Sequence, residues 1–261
     1  MSSPAIYPDL WGKVALVTGA GAGIGKAAAL ALGQSGAIVA VAEINETSGT
    51  QTASEITTAG GSALFIQADV SKSASVRALV EQIVAKHGKL DIAVNNAALL
   101  PDYGSIADLN EDAWDRLIGV NLSGVAFSLK WELRQMQTQK ETGGTIINMA
   151  SASSIKAQKN MPAYSTSKHG VVGLTRAAAL ENGEKQIRVN ALAPGAVSTE
   201  LTANTLAAMG SSEEEYAPRV GLFGRFARPA EIAQAVLWLA SNASAYMTGT
   251  VVPVDSGLTI V

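Results

Sequence analysis

The chain has 261 residues, of which 48% are hydrophobic and 16% are charged, so it is long enough for one large α/β domain with a sizeable core. A net charge of −3 without a basic cluster gives no electrostatic footprint for nucleic acid, and the absence of cysteine excludes disulfides, thiolate catalysis and cysteine-ligated zinc. Residues 1–13 lack the basic and apolar segments of a signal peptide, and no apolar run reaches the ~18–20 residues that span a bilayer. We therefore expect a cytoplasmic protein that binds neither nucleic acid nor a membrane.

Short apolar runs alternate with longer segments of helical period along almost the whole chain. The predicted strands are 14–18, 38–43, 64–68, 92–95, 145–149, 188–193 and 251–254. The predicted helices are 24–35, 47–59, 73–87, 111–137, 162–183 and 229–240. Strands that are apolar throughout and separated by helices indicate a parallel sheet covered on both faces, which is a doubly wound Rossmann fold. We expect one α/β domain over residues 1–261, with the long irregular segment 201–226 as a substrate lid.

A glycine-rich turn follows the first predicted strand and opens the first predicted helix. Its sequence, TGAGAGIG at 18–25, places Gly19, Gly23, Ile24 and Gly25 where backbone can approach a pyrophosphate that the helix N-terminus then stabilises. A structural turn explains many such matches when they stand alone. Here the preceding strand and the following helix favour a dinucleotide-binding site.

Glu43 stands at the end of the second predicted strand, 18 residues past Gly25. A carboxylate in this position accepts hydrogen bonds from a ribose diol and repels a 2′-phosphate. No Arg or Lys occupies positions 22, 44 or 45, where a 2′-phosphate would require one. The pattern therefore predicts NAD as the cofactor, and the alternative for Glu43 is a solvated charge at a strand end.

Tyr164 and Lys168 lie four residues apart on a predicted helix, so their side chains share one face. A phenol with a pKa of ~10 is a poor base, and a neighbouring ammonium lowers that pKa by favouring the phenolate. A Tyr-x-x-x-Lys spacing alone is usually structural. Ser151, just after the fifth predicted strand and 13 residues before Tyr164, adds a hydroxyl that can reach a substrate oxygen.

With these residues in place, the chain resembles the short-chain dehydrogenase/reductase family, in its ~250-residue branch, over nearly its whole length. The motifs occur in the family's order: TGAGAGIG (18–25), Asp69-Val70, NNAA (95–98), Asn121, Ser151 within NMAS, YSTSK (164–168) and PGAVST (194–199). The family's NNAG is NNAA here, with Ala98 in place of glycine, and its C-terminal DGG is Asp255-Ser256-Gly257. Neither change removes a chemical group from the predicted site.

The resemblance implies a role for each matched residue. Tyr164 exchanges a proton with the substrate oxygen, Lys168 lowers the pKa of Tyr164 and holds the nicotinamide ribose, and Ser151 positions the carbonyl. Asn121 anchors a water in the proton relay. Asp69 hydrogen-bonds the adenine, and Asn95 packs near the adenine ribose and supports the sheet. Thr199 and the backbone of Val197 hold the carboxamide, and Val70 and Pro194 are further cofactor contacts. No metal site is implied, since the two histidines, His87 and His169, lie far apart. The family further implies a homotetramer paired through the predicted helices 111–137 and 162–183 and through the last strand.

The substrate would sit beyond the carboxyl ends of the strands. The candidate lining is mostly apolar and consists of Leu99, Leu100, Tyr103, Ser153, Ile155, Met161, Ala196, Leu206, Met209, Leu222 and Phe223. Basic residues near it are scarce, whereas an acyl-carrier or phosphorylated substrate would need several. We therefore expect interconversion of a small neutral, apolar secondary alcohol and its ketone. The tail GRFARPAEIAQAVLWLAS and the NNAA variant also resemble a subgroup of the family that acts on cyclic alcohols and diols, which implies cyclic alcohols among the substrates. The alternatives are a 3-oxoacyl thioester reductase, a sugar 1-dehydrogenase and, more remotely, a non-catalytic dinucleotide-sensing protein.

Overall fold

The computed structural model describes residues 7–100, 103–141, 143–208 and 210–261, without the side chains of Leu201 and Ala208. Its strands are β1 (Val14–Thr18), β2 (Ile38–Glu43), β3 (Ser62–Gln67), β4 (Ile92–Asn95), β5 (Gly144–Met149), β6 (Ile187–Pro194) and β7 (Val251–Val254). Its helices are α1 (Gly23–Gln34), α2 (Glu46–Thr58), α3 (Ser73–His87), α4 (Glu111–Ile118), α5 (Gly124–Thr138), α6 (Pro162–Asn182), α7 (Glu200–Ala208), α8 (Glu213–Tyr216) and α9 (Pro229–Ala240). No described helix is both long and apolar enough to cross a membrane.

The seven strands form one parallel sheet in the order β3-β2-β1-β4-β5-β6-β7. This confirms the predicted doubly wound fold and its strands, whose ends differ from the prediction by at most two residues. The strand order reverses between β1 and β4, and a crevice opens at the carboxyl ends of strands at such a switch point.

Two apolar layers cover the sheet because successive strand residues point to opposite faces. Val17 of β1 packs in the layer formed with α1, α2 and α9, and its neighbour Leu16 packs in the layer formed with α3, α5 and α6. All five residues of β1 are buried, as expected for a central strand of a parallel sheet. The two layers fix the strand ends on which the site is built.

The predicted continuous helix 111–137 is wrong in one respect. A π turn, Gly119–Ser123, separates α4 from α5. A π turn accommodates one extra residue without changing which residues are apolar, so the sequence pattern gives no sign of it.

The segment 201–226 was expected to be irregular, and this expectation is wrong in part, because the segment contains helices. Most of α7 and all of α8 lie within it, and a small apolar cluster of Leu206, Val220 and Phe226 forms its interior. Ser212 caps α8 through a hydrogen bond from the backbone of Glu215. A role as a lid stays a prediction.

Candidate active site

A groove of about 610 Å³ runs along the carboxyl ends of the strands. Its walls come from the residues that follow β1, β3, β4, β5 and β6, together with the end of β2 and the start of α7. The predicted site residues among them are Gly19, Gly23, Ile24, Glu43, Asp69, Val70, Ser151, Tyr164, Lys168, Pro194, Val197 and Thr199. The structure therefore brings both ends of the predicted site into one continuous space.

The glycine-rich turn needs glycine at two positions for packing. A Cβ on Gly19 would lie 2.8 Å from the Cα of Ala97, and one on Gly25 would collide with the carbonyl oxygen of Gly19. Gly19 also has a φ of +62°, which disfavours any side chain. Ala22, at the N-cap of α1, makes no side-chain hydrogen bond to the first turn, so the N–H groups there are free to bind an anion.

Asn96 holds this turn in place, a role that the sequence motifs did not predict. Its Nδ2 donates to the carbonyls of Thr18 and Gly19 at 3.0 and 3.1 Å. The only sequence sign was its place inside the NNAA motif.

Glu43 sits at the rim of the groove and contacts the glycine-rich turn directly. Its Oε2 accepts a hydrogen bond from the backbone N–H of Gly21 at 3.0 Å. Its Oε1 accepts from the N–H groups of Ile44 at 2.9 Å and Asn45 at 3.2 Å. The carboxylate is therefore held in one orientation at the place where the adenosine ribose is predicted to bind.

Asp69 lies at the start of the loop after β3, and Val70 lines the groove beside it. One carboxylate oxygen, Oδ1, accepts from the backbone N–H of Ser71 at 2.9 Å and from its hydroxyl at 2.7 Å. Ser71 thus fixes the direction of this carboxylate.

The three predicted catalytic side chains converge at the other end of the groove. Lys168 is buried and donates from Nζ to the carbonyl of Met149 at 2.8 Å, and its Nζ lies 5.6 Å from the centre of the Tyr164 ring. Burial raises the pKa of Tyr164, and a side-chain hydrogen bond with Ser151 opposes that rise. Burial lowers the pKa of Lys168 to about 8. The arrangement holds a protonated phenol beside a hydroxyl and an amine that can lose its charge.

Asn121 lies on the π turn and does not line the groove. Its Oδ1 accepts from the backbone N–H of Leu99 at 2.7 Å, and its Nδ2 donates to the carbonyl of Leu99 at 3.0 Å. The side chain is completely buried. Its amide therefore ties the helix to the loop that follows β4, and the predicted role in holding a water stays a prediction.

Asn95 and Gly25 also lie beneath the groove surface. Asn95 is buried among polar side chains of β5 and α5, to which it donates two hydrogen bonds. These bonds link β4 to β5 and α5, and the implied place of Asn95 near the adenine ribose stays a prediction.

The nicotinamide-side loop after β6 is held by local contacts. Thr202 donates its N–H to the hydroxyl of Thr199 at 3.1 Å at the start of α7, and Val197 forms a bridge with Ala227. This places Pro194, Val197 and Thr199 along the same wall of the groove.

The predicted substrate lining is only partly brought together. Leu99, Leu100 and Ala196 line the groove. Ser153 and Leu206 are buried, while Ile155, Leu222 and Phe223 are exposed. Met161 is half-buried at the start of α6, and Met209 lies outside the described residues.

A cluster of phenols stands beside the predicted catalytic tyrosine. Burial raises the pKa of Tyr103, and the neighbouring Tyr216 and Tyr164 add to that rise. Tyr216 ends α8 and was missed because nothing in the sequence places the segment 201–226 against the loop after β4. Tyr103 is 46% exposed, and neither it nor Tyr216 lines the groove, so the predicted lining role of Tyr103 stays a prediction.

Comparisons with known proteins agree with this geometry. A family model described as Enoyl-(Acyl carrier protein) reductase matches residues 19–259. The short chain dehydrogenase/reductase astE of Aspergillus oryzae is 56% identical, with 97% of each chain covered. The cyclohexanol dehydrogenase of an Acinetobacter strain is 38% identical, with 95% of each chain covered. A solved structure of 3-ketoacyl-(acyl-carrier-protein) reductase from Brucella melitensis, complexed with NADH, is 32% identical with a TM-score of 0.87 and covers 96% of this chain and 99% of its own.

Proposed function

The chain belongs to the short-chain dehydrogenase/reductase family of oxidoreductases, and from that premise we propose that it interconverts a small neutral, apolar secondary alcohol and its ketone with NAD. The observation that carries the proposal is the convergence of Ser151, Tyr164 and Lys168 at one end of a groove whose other end holds the Glu43 carboxylate.

The groove fits a nicotinamide dinucleotide. The uncapped N-terminus of α1 offers N–H groups to the pyrophosphate, and Glu43 offers acceptor oxygens to the adenosine ribose. Lys168 is the one cation among the described residues that line the groove, and it lies at the predicted nicotinamide end. The end of the groove at the adenosine ribose therefore favours NAD, because Glu43 repels the extra phosphate of NADP and no cation among the described lining residues is there to bind it.

The protein's own part in the reaction is proton transfer and positioning. A bound nicotinamide ring supplies the acceptor or donor of the hydride. The Tyr164 hydroxyl gives its proton to the ketone oxygen during reduction and takes the alcohol proton during oxidation, while Ser151 donates a hydrogen bond to the same oxygen. Lys168, held by the Met149 carbonyl, stabilises the tyrosinate that oxidation requires.

The substrate class follows from the lining of the catalytic end. Leu99, Leu100 and Ala196 present apolar surface there. Such a pocket binds hydrocarbon and offers few partners to a polyhydroxylated sugar. The cyclohexanol dehydrogenase among the relatives acts on a ring of this chemistry, which supports cyclic secondary alcohols as substrates.

Reduction of 3-oxoacyl thioesters is the second candidate. The Brucella relative is a 3-ketoacyl-(acyl-carrier-protein) reductase whose structure was solved with NADH, so NAD use does not discriminate between the two reactions. The scarcity of basic residues at the catalytic end disfavours an acyl-carrier substrate.

A substrate panel tests the proposal. Purified protein is given NAD with cyclic and linear secondary alcohols and with aldoses, and NADH with the matching ketones and with 3-oxoacyl thioesters. We expect the highest kcat/KM for a cyclic alcohol or ketone. Tyr164→Phe should lower kcat by between ~10² and ~10⁴-fold while NAD affinity stays near wild type, because only the proton carrier is removed. Preference for a thioester or sugar, or an active Tyr164→Phe variant, would contradict the proposal.

A further inference from the structure

A row of buried polar side chains crosses the core beneath the active site. Asn95 Nδ2, on β4, donates to Glu132 Oε2 of α5 at 3.0 Å and to Asn148 Oδ1 of β5 at 3.0 Å. Asn148 Nδ2 then donates to Thr175 Oγ1 of α6 at 2.9 Å. All four side chains are buried, Glu132 completely. We name this row the carboxyl–amide bridge.

The hydrogen bonds of the bridge fix the direction of each amide. Thr175 donates its hydroxyl hydrogen to the carbonyl of Val171 at 2.8 Å, so it must accept from Asn148. Asn148 Oδ1 must then accept from Asn95, and both hydrogens of Asn95 Nδ2 are used.

Two oxygens at the end of the bridge are left over. Within the described part of the chain, Asn95 Oδ1 and Glu132 Oε1 are buried without a hydrogen-bond partner. If Glu132 were ionised, the pair would hold two unpaired acceptors and no donor in the core, which is costly. A proton on the carboxyl supplies the missing donor, because an amide and a carboxylic acid can exchange two hydrogen bonds face to face.

We propose that Glu132 holds a proton at neutral pH, donates it to Asn95 Oδ1, and through this neutral bridge acts as a positioning residue for the catalytic helix α6. The inference rests on the proposed function for its catalytic part.

The bridge matters for catalysis because it is bonded to β5, the strand that binds Lys168 and leads to Ser151. Helix α6 is tied to β5 at two adjacent strand residues, by Lys168 to the carbonyl of Met149 at 2.8 Å and by Thr175 to Asn148 at 2.9 Å. Lys168 and Thr175 are two turns apart on one face of α6. The position of Asn148 therefore determines the position of α6, and with it the position of Tyr164 relative to Ser151.

The electrostatic surroundings favour the protonated form. Burial raises the pKa of Glu132 to about 7, against a lowering by the Asn95 hydrogen bond. Among described charged groups on the helices packed against α5, Lys168 is buried and bonded to the Met149 carbonyl. Arg77 and Glu81 of α3 pair with each other at the surface. The other charged groups of these helices are exposed, apart from half-buried His87: Lys86 on α3, and His169, Arg176 and Glu181 on α6.

Two substitutions separate a neutral bridge from a charged one. In Glu132→Gln the amide reproduces both hydrogen bonds, so kcat should stay within about twofold of wild type. In Glu132→Met the side chain keeps its length but leaves Asn95 unpaired, so kcat should fall by between ~10 and ~10²-fold, because misplaced catalytic groups cost that much. Glu81→Gln, at the surface, is the matched control for removing a carboxylate and should behave as wild type.

Two readouts do not depend on the substrate. The infrared spectrum of the wild type should contain the carbonyl band of a protonated carboxylic acid that is absent from Glu132→Gln and fades above about pH 7. The pKa of Glu132 is higher in the folded protein than in the unfolded chain. The free energy of unfolding of the wild type should therefore fall as the pH rises between these two pKa values. The Tm of Glu132→Gln minus that of the wild type should therefore grow from about pH 5 to about pH 7 and then level off.

The outcomes are separable. Loss of activity in Glu132→Gln equal to that in Glu132→Met, or no infrared band assignable to Glu132, overturns the proposal. If Glu132→Met does not fold, Glu132→Gln and the infrared band still decide. A wild type without alcohol or ketone turnover contradicts the proposed function alone, since the infrared and unfolding measurements still test the protonated bridge.

Discussion

The carboxylate of Glu43 accepts a hydrogen bond from the backbone N–H of Gly21, with 3.0 Å between oxygen and nitrogen. The residue predicted to choose the cofactor is therefore also a support of the glycine-rich turn. Changing it alters two properties at once, which any attempt to switch cofactor preference must take into account.

For the wild type we expect a preference for NAD over NADP of about thirtyfold to a hundredfold, from a repulsion of ~2–3 kcal/mol between the Glu43 carboxylate and a 2′-phosphate. Glu43→Ala combined with Ile44→Arg should relax or invert this ratio. It should also lower kcat/KM with NAD, because Gly21 loses its acceptor, and the same loss should offset part of the gain with NADP. Glu43→Gln is the control, since it removes the charge and keeps an acceptor oxygen. Equal wild-type kcat/KM values with the two cofactors would show that Glu43 does not select NAD.

The hydrogen bond with Ser151 predicts a shift in the pH profile of alcohol oxidation. Oxidation needs the deprotonated form of Tyr164, so kcat/KM should rise with pH through the pKa of this phenol. Burial raises that pKa and Ser151 lowers it, so Ser151→Ala should move the rise to higher pH and reduce the rate. Ser154→Ala is a suitable control, because its hydroxyl donates to the Ser151 carbonyl instead. A Ser151→Ala profile at or below the wild-type pH would contradict this assignment.

The two hydrogen bonds between the Asn121 amide and the Leu99 backbone form a clamp on the loop after β4. This clamp predicts an effect on substrate binding. Asn121→Ala removes both hydrogen bonds, should cost about 1–3 kcal/mol of unfolding free energy, and should raise KM for the alcohol, since Leu99 lines the groove. Asn110 caps α4 of the same helical segment, through a bond from Ala113. Asn110→Ala should cost about 1 kcal/mol with no change in KM. Similar KM values for the two variants would argue against a role for the clamp at the groove.

Assembly into a tetramer through α4, α5 and α6 is a further expectation. Leu180 of α6 has 86% of its surface exposed in the single chain, and a neighbouring subunit packed against α6 would cover it. Light scattering of the wild type at micromolar concentration should give four times the chain mass, and Leu180→Glu should reduce it without changing the circular dichroism spectrum. A monomeric wild type would refute the expectation.

Much of the molecule could be predicted from its sequence because the signals are local. Strands such as β1 are uninterrupted apolar runs, and the spacing of Tyr164 and Lys168 places them on one helix face. The carboxyl–amide bridge could not be predicted in this way. Glu132 and Asn95 are 37 residues apart, and a glutamate on a helix is normally a surface residue.

The helices of the lid segment escaped prediction for a different reason. Helix α8 has four residues, three of them glutamate, and shows no apolar period. It lies near residues that are distant in sequence, such as Tyr103, whose pKa Tyr216 raises, and the sequence does not reveal this proximity.

The π turn at 119–123 has a consequence for insertions and deletions in this chain. A widened turn absorbs one extra residue, so removing a residue there would leave an ordinary α-helix whose two halves keep their apolar faces towards the sheet. The shortened protein should fold with the loss of stability and the raised KM expected of Asn121→Ala, because the amide of Asn121 would no longer meet both backbone groups of Leu99. The π turn therefore lies in a helical segment, but its effect is to hold the loop after β4 in place.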